Sequence, residues 1–106
     1  MECSSLESVK ITGGLKSIGE YAFQSCGRLS EMTLPEGLES IGGSAFAGCT
    51  SLKELKIPKS VSEIGYGAFS LWTSSQTITV KGYSSAPSGW NKYWNISGSA
   101  KYVWGA

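Results

Sequence analysis

Apolar and polar residues follow a fixed pattern that recurs along this chain. Val9 and Ile11 are apolar and flank the polar Lys10, which is the period-two alternation of a strand with one buried face. Two further apolar residues, Leu15 and Ile18, follow after a glycine pair. The same pattern returns after Cys26 and again after Cys49. It predicts a short strand on one side of a core and a return segment that crosses the opposite side.

Three consecutive units of equal length carry this pattern without a gap. They are CSSLESVKITGGLKSIGEYAFQS (3–25), CGRLSEMTLPEGLESIGGSAFAG (26–48) and CTSLKELKIPKSVSEIGYGAFSL (49–71). Six columns are identical in all three units: Cys3/26/49, Leu6/29/52, Ile18/41/64, Gly19/42/65, Ala22/45/68 and Phe23/46/69. Self-similarity of this kind is the signature of a repeat architecture.

One such unit cannot bury its apolar side alone, whereas stacked units can. Stacking places equivalent strands ~4.8 Å apart in a parallel sheet, so that each repeated column becomes a ladder along the axis. Each unit then forms one rung of a solenoid, with Lys10, Thr33 and Lys56 facing outward. Gly19 is expected to adopt a positive φ in a turn. The segment 20–25 that follows is too short for a long helix and predicts one helical or 3₁₀ turn.

The repeat continues one further step into residues 72–106 and then dissolves. Trp72 falls in the cysteine column, Ser75 in the leucine column, and Ile78 and Val80 in the two strand columns. These residues predict a partial fourth rung that belongs to the same domain as the three repeats.

The rest of this segment predicts an irregular, aromatic C-terminal cap. Ser88 could cap a short helix with Trp90 and Trp94 on one face. Residues 102–104 (Tyr-Val-Trp) predict a last short strand. All four tryptophans of the chain lie in 72–104, where they would cover the end of the stack.

Nothing comparable precedes the first repeat. An uncovered N-terminal rung would expose the apolar residues Leu6, Val9, Ile11, Leu15, Ile18 and Phe23. We therefore expect further repeats upstream in a longer protein, and self-association of this chain through its uncapped N-terminal rung.

The repeat signature is L-x-x-[IVLM]-x-[IL]-[TP], then L-x-x-I-G-x-x-A-F-x-x-C. It strongly resembles the BspA-like (Treponema pallidum-type) leucine-rich repeats of bacterial surface proteins. The resemblance implies a leucine-rich-repeat solenoid with a short parallel β-sheet of about four rungs and turns or short helical turns on the other side. It also implies a secreted or cell-surface protein that binds an extracellular or host protein in adhesion.

Composition argues against several other functions. The chain has no histidine and no aspartate, which removes histidine-based nucleophile pairs, histidine-containing zinc sites and aspartate-rich calcium loops. Its net charge is +1 with no basic run, so the footprint of a nucleic-acid binder is missing. No apolar stretch approaches the ~20 residues of a membrane span. The sequence predicts a protein that is not an enzyme, without catalytic residues, cofactor or metal.

The cysteine column has two interpretations. Cysteines on adjacent rungs lie within the Cα separation that a disulfide needs. The favoured hypothesis is a ladder of buried, reduced thiols that act as small apolar side chains, because the repeat alone explains their spacing.

Two surfaces are candidates for binding. The outward positions of the sheet form the first: Ser8, Lys10, Glu31, Thr33, Glu54, Lys56, Thr77 and Thr79. Its alternative is a solvated surface on a structural spacer or end-cap of a longer solenoid. The second candidate is an aromatic surface that could stack on sugar rings, formed by Tyr83, Trp90, Tyr93 and Trp94.

Overall fold

A computed structural model describes residues 8–10, 14–96 and 98–105 as a β-solenoid of about four turns. Its strands are short and, apart from the last, alternate between two sides of the core. They are β1 (Ser8–Lys10), β2 (Ser17–Ile18), β3 (Glu31–Thr33), β4 (Ser40–Ile41), β5 (Glu54–Ile57), β6 (Glu63–Ile64), β7 (Thr77–Val80) and β8 (Lys101–Trp104).

Pairing between strands is parallel and follows the repeat length. Ser8 pairs with Glu31, and Ile18 pairs with Ile41, so each residue meets its equivalent in the next repeat. The strands β2, β4 and β6 form one sheet, and β5, β7 and β8 form another with β5 paired to β7 in the same register. The stacked-repeat prediction is therefore confirmed. Cys3, Leu6 and Ile11 lie outside the described residues.

The third side of each rung consists of turns. The predicted helical or 3₁₀ turn is wrong, since neither occurs among the residues that the structure describes. Tyr21 and Ser25 adopt positive φ angles of 62° and 60°, which a right-handed helix does not allow. The N–H groups of Tyr21, Phe23 and Ser25 instead donate to carbonyls of the next rung. Hydrogen bonds to the next rung thus use these N–H donors, which a helix would pair internally.

The core consists of the predicted ladders. Phe46 lies between Phe23 and Phe69, with ring centroids 5.5 Å apart on each side and nearly parallel rings. Phe46 and Phe69 are fully buried, while Phe23 is half-buried at the first end of the ladder. Leu15 is 37% exposed, as expected of an uncovered edge, but the predicted exposure of Ile18 is wrong. Its side chain packs into the core cluster and is 5% exposed.

The glycines of the repeated column allow adjacent rungs to pack closely, and they do not adopt positive φ angles. The expectation for Gly19 is wrong, because the left-handed residue of this turn lies two positions later, at Tyr21, Ser44 and Gly67. A Cβ on Gly42 would lie 2.5 Å from the backbone nitrogen of Glu20 on the preceding rung. The glycine column therefore permits backbone-to-backbone stacking.

In the fourth rung, polar or aromatic residues take the place of repeat residues, and their side chains form hydrogen bonds with the third or second rung. Trp72, in the cysteine column, donates from Nε1 to the carbonyl of Phe46 at 2.8 Å. Ser75 is the equivalent of Leu52 in the observed register, but Ser75 is exposed and the neighbouring Gln76 is fully buried instead. The Gln76 amide donates to the carbonyls of Cys49 and Leu52. Burial of this amide is tolerated because its hydrogen bonds are satisfied.

The described residues 88–96 and 98–104 continue the solenoid path without a helix. The helix predicted after Ser88 is wrong, since 92–96 form turns and Trp90 bridges Ile64 in parallel, extending the sheet of β2, β4 and β6. The carbonyls of Tyr93 and Trp94 accept hydrogen bonds from the preceding rung. The strand predicted at residues 102–104 is confirmed as β8, which pairs with β7.

Candidate binding surface

The outward face of β3 and β5 carries exposed charged and polar side chains. Along each strand, inward apolar residues alternate with outward ones, so Glu31 and Thr33 flank buried Met32, while Glu54 and Lys56 flank buried Leu55. These four outward positions are exposed, as the repeat pattern predicts. Ser8 and Lys10 lie in β1, and their side chains are outside what the structure describes.

The face changes character on the fourth rung. Thr77 is half-buried and Thr79 is only 8% exposed, so Thr79 presents little surface to a partner. Beyond it, β8 adds exposed Lys101 and a Val103 that is 46% exposed. Sequence reasoning missed these two residues as members of the face. The alternation in the segment 101–104 could have indicated them, once that strand was placed beside β7.

A cleft interrupts the face between the second and third rungs. The strand β3 pairs with β1 and β5 pairs with β7, but among the described strands no ladder joins β3 to β5. A cavity of about 310 Å³ opens between them. Its lining consists of Met32, Thr33, Leu34, Glu36, Glu54, Lys56, Pro58 and Lys81. The candidate face is thus two short strand pairs separated by a cleft.

The charges of the residues at the cleft explain why β3 and β5 form no ladder there. Continuing the repeat register would place Glu31 directly opposite Glu54, and like charges in that position destabilise strand pairing. The other pairs across a rung contain no such conflict, as in Ser8 with Glu31 and Glu54 with Thr77. This electrostatic difference distinguishes the β3–β5 junction from its neighbours.

Pro58 removes one further hydrogen bond at this junction. Between the third and fourth rungs, the N–H of Lys81 donates to the carbonyl of Ile57 at 3.1 Å. The equivalent donor between the second and third rungs would be Pro58, which has no N–H. Pro35 stands in the same column one rung earlier, and β1 still pairs with β3, so proline contributes to the opening without being sufficient for it.

Half of the predicted aromatic surface lies in the core. Trp90 and Trp94 are each 5% exposed and pack edge to face with their centroids 4.8 Å apart. Tyr83 is half-buried, and its hydroxyl donates to the carbonyl of Lys59. Tyr93 remains 46% exposed and packs against Tyr66, which sequence reasoning did not single out and which is 55% exposed. A sugar could therefore reach the rings of Tyr66 and Tyr93 but not those of Trp90 and Trp94.

The cysteine column is not uniform. Cys26 is disulfide-bonded, whereas Cys49 is a free, buried thiol. The hypothesis of a ladder of reduced thiols is therefore wrong at Cys26, since adjacent rungs bring cysteines within disulfide reach. The Cys49 thiol donates to the carbonyl of Phe23 at 3.0 Å. Burial raises the pKa of Cys49 from 9.0 to about 11, opposed by a hydrogen bond from the Cys26 backbone.

We expect the Cys49 thiol to resist alkylation while the chain is folded. At pH 8 a pKa of about 11 in place of 9.0 lowers the thiolate fraction, by about 100-fold for a shift of that size. Because the folded-state pKa is the higher one, the neutral thiol stabilises the fold fully below pH 9.0 and loses this contribution as the pH rises towards 11.

Iodoacetamide labelling at pH 8, followed by mass spectrometry without reductant, measures this directly. Incorporation is expected to be slow in buffer and rapid in guanidinium. Cys49→Ala is the control that identifies the labelled thiol. Rapid modification of the native chain would contradict the buried position of this residue.

Neither a metal cluster nor a membrane span is found within the described ranges. No group of three or more potential side-chain ligands is gathered there. No helix there has the length and apolar character to cross a bilayer. Within these residues, the features that can contact a partner include the outward sheet face, its cleft and the exposed tyrosines.

Comparison with known proteins gives one family. The family model described as the BspA type leucine-rich repeat region (6 copies) matches residues 1–88. No curated protein and no solved structure matches the chain significantly. The match covers all three repeats and most of the fourth rung.

Proposed function

From the membership of this chain in the BspA-type leucine-rich repeat family, we infer that it is a protein-recognition module of a secreted or cell-surface protein. Leucine-rich repeats generally mediate protein interactions, and this family is typically cell-surface or secreted. The partner is an extracellular or host protein, and adhesion is the activity that such binding serves. The family is generally non-enzymatic, which agrees with a role in binding.

The observation that carries the proposal is the exposed charged face of β3 and β5. Glu31, Glu54 and Lys56 project from strands whose opposite sides are buried in the core. A stacked core holds these side chains on a stiff support, so less conformational entropy is lost when they bind. Mixed charges on an extended solenoid surface suit recognition of another macromolecule.

The disulfide at Cys26 supports a location outside the cytoplasm. Disulfides form and persist in oxidising compartments and are rare where glutathione and thioredoxin keep thiols reduced. The disulfide and the family therefore both favour a location outside the cytoplasm.

Charge reversal on the face tests the proposal. The chain is captured on an array of extracellular matrix proteins and glycans at physiological salt. The triple variant Glu31→Lys/Glu54→Lys/Lys56→Glu is expected to bind about tenfold or more weakly to the array protein that captures the unsubstituted chain. The reason is that charge-assisted contacts contribute ~1.5–3 kcal/mol each. The melting temperature is expected to stay unchanged because all three side chains are exposed.

Glu63→Lys is the matched control for this experiment. Glu63 is an exposed glutamate on β6, in the other sheet, so its reversal alters net charge without altering the face. Equal loss of capture in the control would contradict a role for the β3–β5 face.

A structural role in closing a longer solenoid is the second candidate. It is favoured by the burial of Trp90 and Trp94 and by the hydrogen bonds that residues 91–99 exchange with the rung before. A pure closing segment is expected to capture nothing on the array and to ignore the charge reversals. A glycan hit would instead direct attention to Tyr66 and Tyr93.

A further inference from the structure

We propose that the cleft between β3 and β5 binds an extended segment of a partner polypeptide carrying a basic and an acidic side chain two residues apart. This inference rests on the proposed function, to which it adds the site and the chemistry of the partner.

The backbone of the cleft provides the first part of the argument. The facing edges of β3 and β5 form no ladder with each other, so they do not exchange the regular hydrogen bonds that β5 exchanges with β7. In particular, the carbonyl of Leu34 cannot receive the hydrogen bond that an N–H at position 58 would donate, because that residue is proline. An extended peptide that lies over the mouth of the cleft can offer main-chain donors and acceptors to such groups.

Charges at the cleft provide the second part. Glu54 and Lys56 both project outward from β5 and are two residues apart, about 7 Å along a strand. A peptide in extended conformation places its own side chains at the same interval. A basic side chain can therefore lie opposite Glu54 while an acidic one lies opposite Lys56. This pairing gives selectivity that main-chain hydrogen bonds alone do not provide.

The far end of the cleft also carries both a negatively and a positively charged side chain. Glu36 follows β3 and Lys81 follows β7, and both line the cavity. Four ionic side chains of both signs surround an opening of about 310 Å³. That volume is at the lower end for binding pockets and admits a few residues of an extended chain, not a folded domain. Size and charge together point to a peptide segment as the occupant.

Two synthetic peptides serve as probes. The first is acetyl-Thr-Val-Lys-Thr-Glu-Val-Thr-amide, and the second exchanges its lysine and glutamate. Each is titrated into the uniformly ¹⁵N-labelled chain and followed by amide chemical shifts. We expect one charge order to bind at least about fivefold more tightly, the lysine-first order if the peptide runs parallel to β5 as the described ladders do. The largest shifts are expected at the amides of β3 and β5.

A charge-reversed variant provides the sharpest test. Glu54→Lys with Lys56→Glu reverses the order of charges on β5, and Glu31→Lys in the same chain keeps like charges across the cleft. This variant is expected to reverse the preference between the two peptides. Glu63→Lys, on the opposite sheet, is expected to leave the preference and the shift pattern unchanged. Melting temperatures of all variants establish that the fold is intact.

Equal binding of the two peptides, or a preference that the charge-reversed variant does not reverse, would overturn this inference. So would shifts that centre on β2, β4 and β6. Capture of a matrix protein that depends on Glu31 but not on Glu54 and Lys56 would refute the cleft while leaving the proposed function in place. A reversed peptide preference with no capture on the array would support the cleft and count against adhesion to those proteins.

Discussion

Replacing Phe46 with alanine is expected to lower the free energy of unfolding by about 3–5 kcal/mol, the usual cost of removing a buried aromatic ring. Its ring is fully buried and stacks on both Phe23 and Phe69. The cavity would lie in the middle of the stack, where the adjacent rungs are held in register by hydrogen bonds and cannot collapse into it. For a chain of this size, the loss is a large fraction of the ~5–15 kcal/mol that a small domain possesses.

Phe23→Ala is the matched comparison. Phe23 occupies the same column but is half-buried and has an aromatic neighbour on one side among the described residues. Truncation there removes less buried surface, so the loss is expected to be about half or less of that at Phe46. Guanidinium unfolding followed by tryptophan fluorescence measures both variants. An unchanged midpoint for Phe46→Ala would refute the stacked-repeat architecture.

Alanine at Gly42 is expected to destabilise the chain by about 3 kcal/mol, at the upper end for overpacking. The added Cβ would lie 2.5 Å from the nitrogen of Glu20 and 2.6 Å from the carbonyl carbon of Gly19. Both are backbone atoms of the preceding rung, so no side-chain rotation can relieve the contact. The rungs must separate, which weakens the hydrogen bond from the Gly42 N–H to the carbonyl of Ile18. Gly65→Ala is expected to behave alike, since its Cβ would meet the Gly43 nitrogen at 2.5 Å.

Gly19→Ala separates the contact from the intrinsic effect of the substitution. Gly19 belongs to the same column, but no atom of the residues that the structure describes lies within 4 Å of an added Cβ. Its φ is not positive, so alanine can adopt the backbone conformation and is expected to be neutral or to stabilise by up to about 1 kcal/mol. Thermal unfolding of the three alanine variants side by side measures the contrast. Equal destabilisation at all three positions would mean that the glycine column serves backbone conformation after all.

Much of the fold could be predicted because each residue of a repeat has equivalents in the other rungs with which it can be compared. The constant spacing of the repeat was enough to predict the register that pairs Ile18 with Ile41 and Ile41 with Ile64. Identical apolar columns indicated which side chains stack, as Phe46 does on Phe69. The alternation within each strand indicated that Glu54 and Lys56 face outward. These inferences depend only on local period and on the gain from burying apolar surface.

The candidate site was predictable only in part. Its exposed charges followed from the alternation, but the cleft did not, because Glu36, Pro58 and Lys81 come together from three different rungs. Nor could a pattern of aromatic residues separate the buried Trp94 from the exposed Tyr93, which are adjacent in the chain. Their difference depends on the path of a segment that no longer follows the repeat.

The sequence by itself determined the repeat, the order of its strands, their register and the identity of the core ladders. Each of these follows from periodicity, because equivalent residues in equivalent units must stack to bury their apolar sides. Only the tertiary structure decided why Gly42 must be glycine, why residues 20–25 form no helix, and where the sheet opens. Each of these depends on the distance between rungs and on competition among their contacts. At β3 and β5 that competition places Glu31 against Glu54, and the like charges oppose closure of the ladder.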